Sequence, residues 1–114
     1  MASRERSHWA WGYRDRFPDD DQRDALAAQV GALLGREFKK KSLPTIDDAR
    51  LSDPRITPPT HLADYSSAAR EDRLLHTYGK AYPDIVRGFR GDYTNAPDWV
   101  AYPRTEDDIV QVLA

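Results

Sequence analysis

Apolar residues recur at helical spacing between Pro18 and Gly35. Leu26, Val30, Leu33 and Leu34 fall at i, i+4, i+7 and i+8, which is one face of a 3.6-residue period. Asp19, Asp20 or Asp21 caps this helix, and Gly35 is a natural C-terminal stop. A second helix is predicted from Ser66 or Ser67, with Glu71 and Asp72 early in it. Leu75, Tyr78 and Tyr82 share one face there, broadened by Leu74. Gly79 costs that helix about 1 kcal/mol relative to alanine, so it marks a close approach or a bend, and Pro83 ends or kinks the helix. Asp84 to Gly91 reads as a short helical turn closed by glycine, and Asp92 to Asn95 as a turn. Trp99 to Tyr102 is an aromatic and β-branched run of strand type between Pro97 and Pro103. Thr105 then caps a last helix, whose first turn carries Glu106, Asp107 and Asp108 and whose apolar face is Ile109, Val110, Val112 and Leu113. This strand and helix have two faces to bury and nothing after them to do it, so they read as the first piece of a larger α/β unit. The fold class expected is α+β: a mostly helical segment over residues 1–92, leading at 93–114 into the first strand and helix of an incomplete α/β domain.

The segments without periodicity divide into two kinds. Ser42 to Tyr65 holds Pro44, Pro54, Pro58 and Pro59 among polar residues, so it is expected to run over a surface with no more than a short turn. Met1 to Phe17 mixes cations and aromatics: Arg4, Arg6, His8, Trp9, Trp11, Tyr13, Arg14, Arg16 and Phe17. Such a mixture can stack on nucleic acid, or it can be an arm pinned by its indoles onto the body of a larger protein. The net charge of −2 and pI near 5.9 favour the pinned arm. By the same logic the lysines at 39–41 read as a solvated face complementing the C-terminal dipole of the first helix rather than a phosphate patch. Hydrophobic residues make up only 39% of the chain, but twelve Trp, Tyr and Phe among 114 residues keep it in folded territory. The absence of cysteine excludes disulfides, thiol catalysis and thiolate metal sites. No run approaches a membrane span and no signal-peptide core is visible at the N-terminus, so a cytoplasmic protein is expected.

Little of the chain has the form of catalytic chemistry. No nucleophile elbow, phosphate loop or dinucleotide fingerprint is present. Gly88 to Gly91 follows no strand and reads as a turn. Glu71/Asp72 and Asp107/Asp108 sit at helix starts, where capping accounts for them. His61 stands alone in a loop and reads as a surface residue, whereas His76 lies in a helix and either reaches a ligand or donates to a backbone carbonyl. No catalytic residue and no metal ligand is assigned.

Three motifs, in order, resemble one family. Trp9-Ala-Trp11-Gly12-Tyr13 resembles the Trp-Gly-Tyr-type opening of flavoproteins like alkyldihydroxyacetonephosphate synthase. Arg73-Leu-Leu-His-Thr-Tyr-Gly79, followed by Asp84-Ile85-Val86 and Arg87, resembles the helix that these proteins place before their FAD domain. Pro97-Asp98-Trp-Val100-Ala-Tyr-Pro103-Arg-Thr-Glu-Asp107-Asp108-Ile-Val110 is similar to the start of the FAD-binding fold of the vanillyl-alcohol oxidase (PCMH) type. The resemblance implies the N-terminal part of an FAD-dependent oxidoreductase, truncated ahead of the glycine-rich loop that holds the flavin diphosphate. It implies FAD as cofactor, not held by this chain alone, and a complementary chain as partner. Of the site residues, only Tyr102 and Pro103, at the strand's carboxyl end, match positions near the cofactor cleft, which is also where ligands of open α/β sheets sit. The other function class is a non-enzymatic interaction module, binding a protein or nucleic-acid partner through the aromatic and basic arm.

Overall fold

The computed structural model describes residues 4–114; the first three residues of the N-terminal arm lie outside that range. Two compact units are present. One comprises the chain up to Ser7 with Gly12–Leu43, and the other comprises His8–Trp11 with Pro44–Ala114.

The first unit is built on helix α1, Asp20–Leu34. Asp19 caps it reciprocally: its carboxylate accepts from the Gln22 N–H at 2.8 Å, and the Gln22 side chain accepts from the Asp19 N–H at 2.9 Å. Gly35 ends it in the left-handed region at φ 64°, as its place in the sequence requires. The apolar face predicted for α1 finds no cover within its unit, because Leu33 is 83% exposed and Leu26 and Leu34 are exposed too. The lysine cluster also departs from expectation. Lys40 turns back along the helix and places Nζ 2.9 Å from an Asp24 carboxylate oxygen, while Arg23 donates to the Lys41 carbonyl. The acids of the helix's N-terminal half therefore draw Lys40 away from the dipole's negative end.

The second unit begins with an irregular, proline-rich path that settles into one 3-10 helix, Thr60–Tyr65, burying Leu62 and Tyr65. Strand β1, Ser66–Ser67, follows it. The sequence reading opens a helix at these serines, but helix α2 spans only Arg70–Leu75. The Ser67 hydroxyl accepts from the Ala69 N–H at 3.1 Å, a local turn that holds the backbone out of helix until Arg70. Nor does α2 continue to Tyr82. The Thr77 hydroxyl donates to the Arg73 carbonyl at 2.7 Å, and Lys80 sits at φ 108°, outside any helix. Tyr82, 79% exposed, instead opens helix α3, Tyr82–Phe89. Pro83 therefore starts a helix rather than ending one, since the first turn needs no N–H from it.

The predicted four-residue strand shortens to β2, Val100–Ala101. It is the second strand rather than the first, and it pairs antiparallel with β1: Ser66 faces Ala101 and Ser67 faces Val100. Helix α4, Glu106–Leu113, follows as expected, with the Thr105 hydroxyl accepting from the Asp108 N–H at 3.1 Å. The architecture is α+β. Its core centres on Leu74 and Tyr93, both fully buried, with Ala49 packed between flanking Ile46, Leu51 and Tyr78. The proline-rich path closes this core by bonding to the turn after α3. Arg50 donates its N–H to the Gly91 carbonyl at 2.7 Å and accepts from the Tyr93 N–H at 3.2 Å. Residues 8–11 complete it. Trp9 packs edge-on against Phe89 at 5.1 Å, Trp11 donates its indole N–H to the Lys80 carbonyl at 3.0 Å, and the His8 carbonyl accepts from the Tyr93 hydroxyl at 3.0 Å. The two indoles thus hold residues 8–11 within the second unit.

Candidate functional site

The short β-ladder brings together four side chains that lie far apart in sequence. The first turn of α2 presents Asp72. Its Oδ2 accepts from the Ser67 hydroxyl at 2.5 Å, and its Oδ1 accepts from the Tyr102 hydroxyl at 2.6 Å. Tyr102 is fixed as it leaves β2, its N–H donating to the Tyr65 carbonyl at 2.7 Å. His76, one turn on from Asp72, lies edge-on to the Tyr102 ring at 5.6 Å, with Nδ1 2.7 Å from the Asp72 carbonyl. That carbonyl can only accept, so Nδ1 is the donor in this contact.

Protonation states follow from these contacts. The Ser67 and then the Tyr102 hydroxyl hold the Asp72 carboxyl below the usual carboxylate range. Burial, then the hydrogen bond to Asp72, pushes the Tyr102 phenol up to about 12. Asp72 is therefore a fixed anion and a weak base, and Tyr102 keeps its proton and donates it. Ser67 is bonded to the carboxylate directly, with no histidine between them, so the grouping is not a nucleophilic triad. The cluster holds β2 against α2 and presents the Tyr102 ring, 42% exposed, edge-on to the His76 ring.

The two residues predicted near a flavin differ in surroundings. Tyr102 belongs to this cluster, whereas Pro103 is exposed in the link to α4. The turn that follows does not fit a flavin diphosphate. The Asp108 carboxylate already accepts from the Arg104 and Thr105 N–H groups at 2.8 and 3.2 Å, and Glu106 and Asp107 add negative charge beside it. Anions bind helix N-termini through free N–H groups and positive potential, and here the acids of the first turn offset that potential.

The other residues singled out from sequence resolve simply. His61 is exposed, and Gly88 to Gly91 closes α3 with Gly91 at φ 72°. Asp72, read from sequence as a capping residue, is instead the hub of the cluster. No spacing rule announces that role, because both hydroxyl donors reach it through the strand pairing. In the arm, Arg4 pairs with Asp15 at 2.8 Å and Arg14 with Glu5 at 3.0 Å, and the guanidinium groups of Arg4 and Arg6 lie over the Tyr13 ring. Among the described residues no group of three or more acids or histidines is placed to hold a metal ion, and no helix is long and apolar enough to cross a membrane. No protein-family model, curated protein or solved structure matches the chain.

Proposed function

We propose that this chain is the N-terminal part of an FAD-dependent oxidoreductase of the alkyldihydroxyacetonephosphate synthase-like kind, which packs against further flavoprotein sequence and does not hold the cofactor by itself. The observation that carries the proposal is the unpartnered apolar surface of α4: Ile109, Val110 and Leu113 are 48%, 58% and 81% exposed, beside a two-residue ladder. A strand followed by an amphipathic helix buries such a face when neighbouring α/β layers cover it. The cofactor, when bound to the whole protein, supplies redox chemistry that the side chains here do not. Tyr102 and the cluster that fixes it would then contribute an aromatic edge at the rim of the cofactor cleft, and the partner would be a complementary stretch of polypeptide carrying the glycine-rich loop.

The test is flavin binding, paired with the coding sequence beyond codon 114. The expected outcome is that the 114-residue chain purifies colourless and takes up no stoichiometric FAD. Co-expression with a downstream frame encoding a glycine-rich loop is expected to give a yellow one-to-one complex. A stoichiometric flavin complex of the 114 residues alone, or downstream sequence with no such loop, would overturn the reading.

The second reading, an interaction module, draws on α1, whose leucines are exposed in the first unit. It favours a protein partner over nucleic acid, since Arg4 and Arg14 are paired with Asp15 and Glu5 and Arg6 lies over Tyr13. Salt-insensitive partner binding lost in Leu33→Glu would favour this reading over the first.

A further inference from the structure

Arg73 is the buried arginine of the second unit's interior, 4% exposed. Its hydrogen-bond acceptors are uncharged and, after Arg55, its charge also helps to lower the pKa of the Asp98 carboxyl on the same wall. Nε donates to the Pro97 carbonyl and Nη2 to the Ser52 carbonyl, each at 2.7 Å. Its remaining amino group has no acceptor among the described residues, and the side chain lines a cavity of about 200 Å³. The same cavity is lined by two carboxylates in different states. Asp98 is fully engaged: the Arg55 backbone N–H and guanidinium hold both of its oxygens at 2.9 to 3.2 Å. Asp53 is exposed and makes no hydrogen bond or ion pair with the described residues.

With the Arg55–Asp98 pair satisfied internally, the cavity offers the open guanidinium edge of a largely buried arginine and one unpaired carboxylate. A simple anion would gain Arg73 but meet Asp53. A simple cation would gain Asp53 but meet Arg73. A small molecule carrying both charges complements both, and Thr94 and Asn95 add polar groups to the same wall. Size sets a limit, since drug-sized ligands occupy roughly 300–1,000 Å³ and this space is smaller. We infer that the cavity beside Arg73 is a binding site for a small zwitterion of the α-amino-acid class, its carboxylate on Arg73 and its ammonium on Asp53. The inference is independent of the flavoprotein reading, and no part of it involves Tyr102 or α4.

Titration of the full 114-residue chain with L-alanine, acetate and methylammonium at constant ionic strength, followed by amide chemical shifts, tests it. Alanine is expected to give saturable shifts at Ser52, Thr94 and Asn95, with affinity about tenfold or more above acetate or methylammonium, the scale of one charge-assisted hydrogen bond. Arg73→Gln could fail for want of folding, so the deciding variant is Asp53→Asn, whose side chain is exposed and unbonded. It is expected to weaken alanine by about tenfold while leaving acetate no weaker and the unfolding midpoint unchanged. Alanine binding no tighter than acetate, the absence of a saturable shift, or indifference of alanine to Asp53→Asn would each overturn the inference.

Discussion

Asp72 receives two hydroxyl protons, and single substitutions can take them away one at a time. Tyr102→Phe removes one donor and leaves Ser67. Because Tyr102 is partly exposed, the expected cost is about 1 kcal/mol, under the roughly 1.5–3 kcal/mol of a buried bond to a charged group. Asp72→Ala strands both hydroxyls and should cost about 1–3 kcal/mol, read from the urea midpoint. The same contacts set the pH response. Asp72 and Asp98 have lowered carboxyl pKa values, through Ser67 and Tyr102 in one case and Arg55 in the other. A folded pKa below the unfolded one stabilises the native state at pH values above about 4 and loses that contribution as pH falls below it. Stability should therefore decline on acidification, with a shallower slope in Asp72→Asn. At the alkaline end the sign reverses. Tyr93 and Tyr102 are both pushed up to about 12, chiefly by burial, so their contribution is complete below about pH 10 and lost as pH rises toward 12. Burial also raises Tyr65 and Tyr78. Ultraviolet titration should therefore show Tyr93 and Tyr102 ionising late within a raised group of four of the six tyrosines, and one fewer late tyrosine in Tyr102→Phe.

Individual helices carry contrasting glycine requirements. In α3, Gly88 is buried, and a Cβ there would lie 2.8 Å from the Tyr93 hydroxyl and 3.1 Å from the Trp9 Cβ. That hydroxyl is held by the His8 carbonyl and cannot retreat. Alanine would favour the helix by about 1 kcal/mol on propensity, but overpacking costs about 1–3 kcal/mol, so Gly88→Ala should destabilise in thermal melts. At the end of α1, Gly35 has open space around it, and only its φ of 64° forbids a side chain. Gly35→Ala should cost about 1–2 kcal/mol through backbone conformation alone, with no change in near-ultraviolet signals of the aromatic core. Caps and stops of this kind are legible in sequence because each depends on residues a few positions apart. For that reason Asp19, Gly35 and Thr105 are placed correctly. The extent of α2 is not legible, since Ser67 and Thr77 bond to the backbone in ways that compete with helix and that the apolar period at Leu75, Tyr78 and Tyr82 does not reveal.

At the scale of the whole molecule, the second unit depends on chain drawn from its far end. Residues 8–11 supply the carbonyl that Tyr93 and Lys80 both donate to and the Trp9 Cα and Cβ that lie against Gly88. Deletion of residues 1–11 should therefore lower the cooperativity of unfolding of residues 44–114 and expose Tyr93, seen as a tyrosine ionising nearer pH 10. The fully buried interior is small, centred on Leu74 and Tyr93. Leu74→Ala, at about 2–5 kcal/mol, would thus consume much of a stability in the range of roughly 5–15 kcal/mol. Exposed Leu33, Leu113 and Val110 should bind hydrophobic dyes in the native state, and Leu113→Lys should reduce that binding without shifting the midpoint.

The sequence by itself determined the local features: where α1 and α4 begin, where α1 stops, and that the proline-rich stretch stays largely irregular. Each follows from propensity, capping or composition within a few residues. Only the tertiary structure decided which side chains meet. Pairing β1 with β2 carries Tyr102 and Ser67 onto one carboxylate, folding residues 52–55 and 93–98 around α2 buries Arg73 among carbonyls, and a tyrosine in a predicted turn becomes the centre of the core. Those contacts join residues tens of positions apart, and their energies depend on burial and geometry that no short window of sequence contains.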